Sequence, residues 1–340
     1  MRTITFVAFV LISIGLTSEA QTENDPLRSW NDTAAKKAIV DFVGRVTKEG
    51  SPDFVKPEER IATFDNDGTL WVEQPNYTQV IFAIDEVVAM APQHPEWRKT
   101  QPFKAILEHD REATLSFSIQ DFEKVVAVTH SGMTVPQFQE IVKKWLIEAK
   151  HPRFKRPYTE CIYQPMLELM QYLRSNGFKT YIVTGGGQEF VRAFAEPTYG
   201  VPPGQIVGSM GKVKYTYDKN GAPELIKLPE VLLIDDKTGK PEGINMVIGR
   251  RPQAAFGNST GDQQMLEYTG AGDGARLMML VHHDDAKREY AYGADSKIGT
   301  FSDALMAEAK KKGWVVISMK DDWKSIFPKE AAISSPAASR

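Results

Sequence analysis

Short apolar runs alternate with segments of helical periodicity along the second half of the chain. The apolar runs occupy residues 178–187, 254–259, 276–283 and 314–318, and the helical segments occupy 165–177, 188–200, 262–269 and 301–313. Strands that alternate with helices in this way are typical of a parallel sheet that is covered on both faces. The pattern therefore predicts an α/β fold.

Three further segments complete the pattern. Apolar residues at helical spacing predict a helix over 35–46, and a proline at the first turn indicates another over 241–249. Residues 206–234 instead alternate in short apolar pieces around Asn220-Gly221, which is a strong hairpin signal.

A long helical block separates one early apolar run, residues 61–64, from the later runs. Residues 75–155 have a mostly helical pattern that is broken by prolines, and they contain no clear strand. The simplest topology is one α/β domain, residues 21–74 and 156–340, into which a helical cap, residues 75–155, is inserted after the first strand. Ligands of such sheets bind beyond the carboxyl ends of the strands, so the chemistry is expected there.

The composition is that of a soluble globular protein, with 42% hydrophobic and 25% charged residues among 340 and a net charge of −3. This balance favours neither a nucleic-acid-binding nor a membrane-surface protein. The N-terminus differs, because Arg2 precedes an apolar run that ends near Ala20. Residues 1–20 are typical of a signal peptide, which predicts a secreted or periplasmic protein with no membrane contact after cleavage. A retained anchor is the alternative, although the run is shorter than the ~20 apolar residues that a span needs.

The segment IATFDNDGTLW, residues 61–71, places Asp65 and Asp67 where an apolar run stops. Residues two apart on an extended chain point to the same side, so both carboxyl groups can face one ligand. A simple turn is the plain alternative for an isolated DNDG. A calcium loop is excluded, because Thr63 and Gln74 stand where that pattern needs acidic residues.

Three later segments also place polar groups after apolar runs. Thr184 is followed by Gly185 and two more glycines, and glycine amides that open a helix bind phosphate well. A dinucleotide motif does not fit, because Phe190 stands where its last glycine would be. Lys240 precedes a helix, and Asn258 and Asp262 follow the run at 254–259. Taken singly, the lysine could be a surface charge and the asparagine a helix cap.

In this order, the four segments resemble the motifs of the haloacid dehalogenase superfamily of aspartate-nucleophile phosphotransferases, and most closely its phosphoserine-phosphatase-like branch. The first motif is matched by Asp65, Asp67, Gly68, Thr69 and Leu70, the second by Thr184, the third by Lys240, and the fourth by Asn258 with Asp262. The resemblance covers about residues 58–320 and implies a Rossmann-like three-layer α/β fold, with a parallel sheet and an inserted helical cap. One departure is Asn258, since the family usually has aspartate there.

The resemblance also implies a role for each matched residue. Asp65 would be the nucleophile that forms an aspartyl-phosphate, and Asp67 the general acid that protonates the leaving alcohol. Thr184, Gly185 and Lys240 would bind the phosphate. Mg²⁺ would be the cofactor, and its ligands would come from Asp65, Asp67, Asn258 and Asp262.

These expectations describe an exported, magnesium-dependent phosphomonoesterase that acts on a small phosphorylated metabolite. The cap would exclude water and select the substrate, and Trp71, Glu73 and Tyr77 are candidate contacts. One alternative is a phosphotransferase or mutase on the same scaffold. Another is a non-catalytic phosphate-binding protein, disabled by Asn258. A zinc site in VHHDD is disfavoured, because adjacent histidines on a strand point to opposite faces.

Overall fold

The computed structural model describes residues 25–115 and 117–328, and the predicted signal peptide lies outside these residues. The strands are β1 (Ile61–Phe64), β2 (Lys179–Gly187), β3 (Ile206–Tyr217), β4 (Pro223–Leu233), β5 (Ala254–Gly257), β6 (Leu277–His282) and β7 (Val315–Ser318). The helices are α1 (Ala34–Thr47), α2 (Thr78–Met90), α3 (Phe103–Leu107), α4 (Arg111–Leu115), α5 (Ile119–His130), α6 (Val135–Glu148), α7 (Gln164–Ser175), α8 (Gln188–Arg192), α9 (Ala195–Tyr199), α10 (Gly239–Gly243), α11 (Gln263–Gly270), α12 (Asp303–Lys312) and α13 (Met319–Asp322).

The strands form one sheet in the order β4-β3-β2-β1-β5-β6-β7. Every neighbouring pair is parallel except β3 with β4, which form the hairpin predicted at Asn220-Gly221. Phe64, the last residue of β1, pairs with Ile182 of β2 and Phe256 of β5. The carboxyl ends of these three strands therefore lie side by side, and the predicted α/β fold is confirmed.

Helices cover both faces of the sheet, because alternate residues of its central strands enter different hydrophobic clusters. Ile182 and Phe256 pack with α1 and α7 on one face. Val183 and Ala255 pack with α11 and α12 on the other. Each central strand is therefore buried on both sides, which explains its continuous apolar run.

Helices α2, α3 and α5 share a small hydrophobic cluster, which includes Ala83, Ile106 and Val125, whereas α6 packs into the main core through Phe138 and Val142. The described residues of the 75–155 block contain no strand, although Thr134 forms a single bridge with Ile226 of β4. Backbone hydrogen bonds thus link the β3–β4 hairpin to the helical block. The pattern of apolar residues in the sequence does not indicate this contact. The domain boundaries stay predictions. No helix among the described residues is both long and apolar enough to cross a bilayer.

One predicted element is wrong in its length. The helical pattern over 188–200 is split into α8 and α9, and Phe194 between them has a φ of −131°. Pro197 explains the break, since a proline cannot donate its backbone hydrogen bond and its ring clashes with the carbonyl group four residues earlier.

Candidate active site

The four sequence motifs meet beyond the carboxyl ends of β1, β2 and β5. One cavity of about 510 Å³ is lined by Asp65 and Asp67 after β1, Thr184 on β2, Lys240 on α10 and Asp262 before α11. Asn258, directly after β5, is buried behind them. Residues that are almost 200 positions apart in the sequence thus share one pocket, because parallel strands align their ends.

A tight turn carries Asp65 and Asp67. The Asn66 carbonyl oxygen accepts hydrogen bonds from the amides of Thr69 and Leu70. Gly68 has a φ of +76°, and a Cβ at this position would lie 2.2 Å from Asn258 Nδ2. Only glycine therefore suits this position, on conformational and on steric grounds.

Lys240 links two of the acidic residues. Its Nζ donates to Asp65 Oδ1 and to Asp262 Oδ1, each at 2.6 Å, and to the Val183 carbonyl oxygen at 2.8 Å. Burial opposes the positive charge, but Asp262 and Asp65 outweigh that effect and raise the lysine's pKa. The ammonium therefore stays charged and fixes the Asp65 carboxylate.

The second oxygen of Asp262 is also occupied. Its Oδ2 accepts from the amides of Asn258, at 2.9 Å, and Ser259, at 3.0 Å. Asp262 thus holds Lys240 with one oxygen and the loop after β5 with the other.

Asn258 is held by groups on both sides of its amide. Its Oδ1 accepts from the Thr69 hydroxyl at 3.0 Å, and its Nδ2 donates to Glu73 Oε1 at 2.7 Å. The Tyr292 hydroxyl donates to the same Glu73 oxygen at 2.6 Å. Glu73, a candidate substrate contact in the sequence, lines the cavity and also orients the amide of the fourth motif.

Asp67 lies at the edge of the cavity. Its Oδ1 accepts from Trp71 Nε1 at 2.9 Å, and the Trp71 ring stacks on Phe194 with ring centroids 4.6 Å apart. Burial raises the pKa of Asp67 to about 6. Trp71 thus positions Asp67 instead of facing a ligand.

Acidic groups outnumber basic groups in this site. Within the described residues, the carboxyl groups of Asp65, Asp67, Glu73, Asp235 and Asp262 lie in the same region as the buried ammonium of Lys240. Burial, together with the Asp262 charge, raises the pKa of Asp65, and burial raises that of Glu73. A divalent cation would relieve this excess.

The oxygen-rich donor set fits Mg²⁺, which prefers hard oxygen ligands. Within residues 25–115 and 117–328, no group of three or more His, Cys, Asp or Glu side chains could hold a metal ion. Mg²⁺ usually keeps several waters and is bound through one or two carboxylates together with substrate phosphate, so it does not require such a group.

The glycines after Thr184 are part of β2, and the last of them, Gly187, is also the N-cap of α8, so the predicted junction of glycines and helix is present. The Gly186 amide donates to the Thr184 hydroxyl at 3.1 Å, and the Gly187 amide donates to Gln79 Oε1 at 2.7 Å. The extended pairing with β3 continues to Gly187, and α8 begins only at Gln188. Two of the three glycine amides are thus bonded within the protein.

The family of haloacid dehalogenase-like hydrolases matches residues 59–243, more than half of the chain. The chain belongs to this family. The matched range contains the first three motifs, and the fourth lies beyond it. A comparison with curated protein sequences finds no match.

Several solved structures align with this hydrolase at low sequence identity. A conserved protein of unknown function from Anaerococcus prevotii aligns with a TM-score of 0.56 and 17% identity, over 84% of this chain and 91% of that chain. A protein of unknown function from Bordetella pertussis aligns with a TM-score of 0.47 and 15% identity, over 76% and 98%. A phosphoserine phosphohydrolase-like protein from Francisella tularensis aligns with a TM-score of 0.35 and 14% identity, over 73% and 98%.

One histidine of the hydrolase supports the first motif, a role that no sequence pattern predicts for it. His283 Nε2 donates to the Gly68 carbonyl oxygen at 2.8 Å, and its Nδ1 lies 3.2 Å from Glu289 Oε2. Its ring stacks on Tyr292. His282 is half-buried and lies 3.8 Å from Asp284. The sequence shows His283 at the end of an apolar run, but Gly68, to which it donates, is more than 200 positions away. The sequence therefore does not reveal this contact.

Proposed function

We propose that this hydrolase is an exported, magnesium-dependent phosphomonoesterase that acts through an aspartyl-phosphate on a small phosphorylated metabolite. The observation that carries the proposal is the Asp65 carboxylate. It is held 2.6 Å from the buried Lys240 ammonium at the carboxyl end of β1, with Asp67 two residues on. One oxygen of Asp65 is fixed by the lysine, which leaves the other for attack on phosphorus.

Attack by a carboxylate on a phosphate dianion is opposed by charge. Two unit charges about 4 Å apart interact with about 4 kcal/mol at an effective dielectric constant of 20. Lys240 offsets part of this repulsion from one side of Asp65. Mg²⁺ held by the ligands named below would offset most of the remainder with its positive charge. The Thr184 hydroxyl lies beside the phosphate site and can bind a phosphate oxygen.

Asp67 suits both halves of general acid–base catalysis. Because burial raises its pKa to about 6, a useful fraction carries a proton near neutral pH. That proton would pass to the leaving alcohol in the first half-reaction. The resulting carboxylate would then accept a proton from the water that hydrolyses the aspartyl-phosphate. The Trp71 hydrogen bond to Oδ1 keeps Oδ2 toward Gly186 and the cavity.

The magnesium ligands in this proposal are Asp65, the Asp67 backbone carbonyl oxygen and Asn258 Oδ1. Asp262 was a candidate ligand in the sequence. Its oxygens already accept from Lys240 and from two backbone amides, so its proposed role is to position those groups.

The proposal of export rests on residues 1–20, whose sequence is typical of a signal peptide. It is tested by determining the N-terminal sequence of the protein that is recovered from the medium or the periplasm. A mature chain that begins at residue 21 is expected. A chain that keeps its first residues and stays with the membrane would contradict it.

Purified protein should release phosphate from p-nitrophenyl phosphate when Mg²⁺ is present and stop when a chelator is added. Brief incubation with substrate, followed by acid quenching and mass spectrometry, should place a phosphoryl group on Asp65. Asp65→Asn should abolish both signals while the thermal unfolding curve stays cooperative. Phosphoryl transfer to an added alcohol in preference to water would indicate a transferase. Phosphate binding without turnover would indicate a non-catalytic protein.

A further inference from the structure

The catalytic cavity continues past the aspartates into a region enclosed by the helical block and the β3–β4 hairpin. Its inner walls are mainly apolar and come from α2, α5, α8 and the hairpin. They include Val80, Ile84, Val125, Phe190, Val213 and Leu228. A leaving group bound here would lose its contact with water, so an apolar body would be stabilised and a polar one would need partners.

Several polar groups on these walls already have partners. Gln79 donates through Nε2 to His130 Nε2 at 3.0 Å, and it accepts from the Gly187 amide. His130 Nδ1 then donates to the Thr129 hydroxyl at 2.7 Å, which donates to the Val125 carbonyl oxygen. Burial lowers the pKa of His130 to about 3, so the ring is neutral. This chain of hydrogen bonds adds no charge to the pocket.

Lys227 is the exception. It lines the cavity from β4 and is only 7% exposed. Its Nζ lies 4.5 Å from the centroid of the Phe138 ring, and it forms no ion pair or hydrogen bond with any residue in the described part of the chain. The neighbouring carboxylate of Glu189 is bonded to Arg192 and Gln139, each at 2.7 Å. The Lys227 ammonium therefore faces the cavity without a bonded carboxylate, and a ligand that displaces the cavity water could supply one.

We propose that the substrate is a phosphate monoester whose leaving group has an apolar body and ends in a carboxylate that pairs with Lys227. The inference rests on the proposed phosphatase activity and specifies its substrate class. A carboxylate fits better than a second phosphate, because one ammonium neutralises one negative charge and the surrounding walls are apolar. A phosphate dianion would leave a charge buried without a partner.

The fold sets the spacing between the two anionic groups. In the sheet, Gly187 pairs with Ser209, and Lys227 pairs with Val213. Ser209 and Val213 are four residues apart on β3, which corresponds to roughly 13 Å of strand. The backbone of Lys227 is therefore about this far along the sheet from Gly187, which follows Thr184 at the proposed phosphate site. An extended chain or an aromatic body would span this distance better than a short phosphorylated acid.

A series of ω-phosphooxy carboxylic acids of increasing length, compared with alkyl phosphates of the same length, tests this substrate class. The value of kcat/KM should rise with length by at most roughly fourfold per methylene group. At a matching intermediate length, the carboxylated compound should exceed its alkyl counterpart by roughly 10- to 100-fold. Equal values at every length, or a preference for the alkyl compounds, would overturn the proposal.

Variants of two lysines assign the effect to its residue. Lys227→Met should bring the carboxylate-to-alkyl ratio close to one, and Lys227→Arg should retain part of it. Lys214→Met is the matched control, since Lys214 lies on the neighbouring strand and is exposed. The ratio should not change in that variant. A ratio that falls equally in Lys227→Met and Lys214→Met would overturn the assignment to Lys227.

Turnover of p-nitrophenyl phosphate separates this inference from the proposed function. If no variant hydrolyses it with Mg²⁺, the phosphatase proposal fails, and ω-phosphono carboxylic acids and alkyl phosphonates are then titrated into the same proteins by calorimetry. Tighter binding of the carboxylated compounds that depends on Lys227 would still support the binding site. Equal binding of both series would refute it.

Discussion

Glu73 gives a direct test of how the fourth motif is held, because one of its oxygens accepts two buried hydrogen bonds. Asn258 Nδ2 donates to Oε1 at 2.7 Å, and the Tyr292 hydroxyl donates at 2.6 Å. Glu73→Ala would leave both donors without an acceptor. Each buried donor that loses its partner costs about 1–3 kcal/mol, so the free energy of unfolding should fall by roughly 2–6 kcal/mol.

Glu73→Gln is the matched control, since its side-chain oxygen can accept the same two bonds while the negative charge is removed. Its free energy of unfolding should stay within about 1 kcal/mol of the unaltered protein. Thermal and urea unfolding in the presence of a chelator measure both variants without a contribution from metal. For a protein of this size, each kcal/mol corresponds to roughly 1–2 °C in Tm.

The same pair of variants tests the orientation of Asn258. Without Glu73, the amide can rotate and present its nitrogen, which cannot bind a cation, so Glu73→Ala should weaken Mg²⁺ binding measured by calorimetry. Glu73→Gln should weaken it less, because the acceptor is retained. Equal stability of the alanine and glutamine variants would refute the reasoning on hydrogen bonds. Unchanged Mg²⁺ affinity in Glu73→Ala would refute the role in orientation.

Asp67→Asn should still form some aspartyl-phosphate from p-nitrophenyl phosphate but should release phosphate slowly, which rapid-quench kinetics measures; unchanged turnover of an alkyl phosphate would exclude Asp67 as the acid. Gly68→Ala should lower Tm, because a Cβ would lie 2.2 Å from Asn258 Nδ2, and an unchanged Tm would contradict the tight packing of the turn. Asn258→Asp should destabilise the metal-free protein at pH 8, because two carboxylates would then face each other. Adding Glu73→Gln to this variant should restore the lost stability. If the two substitutions changed the free energy of unfolding additively, the contact between residues 73 and 258 would be contradicted.

Much of the fold follows from local sequence patterns. The strand over 61–64 has the bounds that its apolar run predicts, and the hairpin turns at Asn220-Gly221 as its dipeptide indicates. These features depend on neighbouring residues, for which periodicity and turn chemistry are sufficient. The break between α8 and α9 was visible in principle as Pro197, but the apolar spacing around it predicted one continuous helix.

The candidate site was predictable only where short motifs carry it. Asp65 and Lys240 lie 175 positions apart, yet each belongs to a recognisable segment after a strand or before a helix. Glu73 and His283 belong to no such segment. Their partners, Asn258 and Gly68, are 185 and 215 positions away, so their roles depend on how distant segments pack. The pairing of the hairpin with the helical block, which buries Lys227, is also a long-range contact.

The substitution at the fourth motif has a different meaning once these contacts are known. An asparagine in place of the family's usual aspartate suggests a site that is one negative charge poorer and binds a dication less well. In this hydrolase, however, the Glu73 carboxyl group lies 2.7 Å from the Asn258 amide and belongs to the same buried set of acidic groups as Asp65. The acidic group that is missing at position 258 therefore has a counterpart in Glu73, which lies against the same amide. Asparagine at position 258 does not by itself make this region poor in carboxyl groups, since Asp65, Asp235 and Asp262 are also buried there.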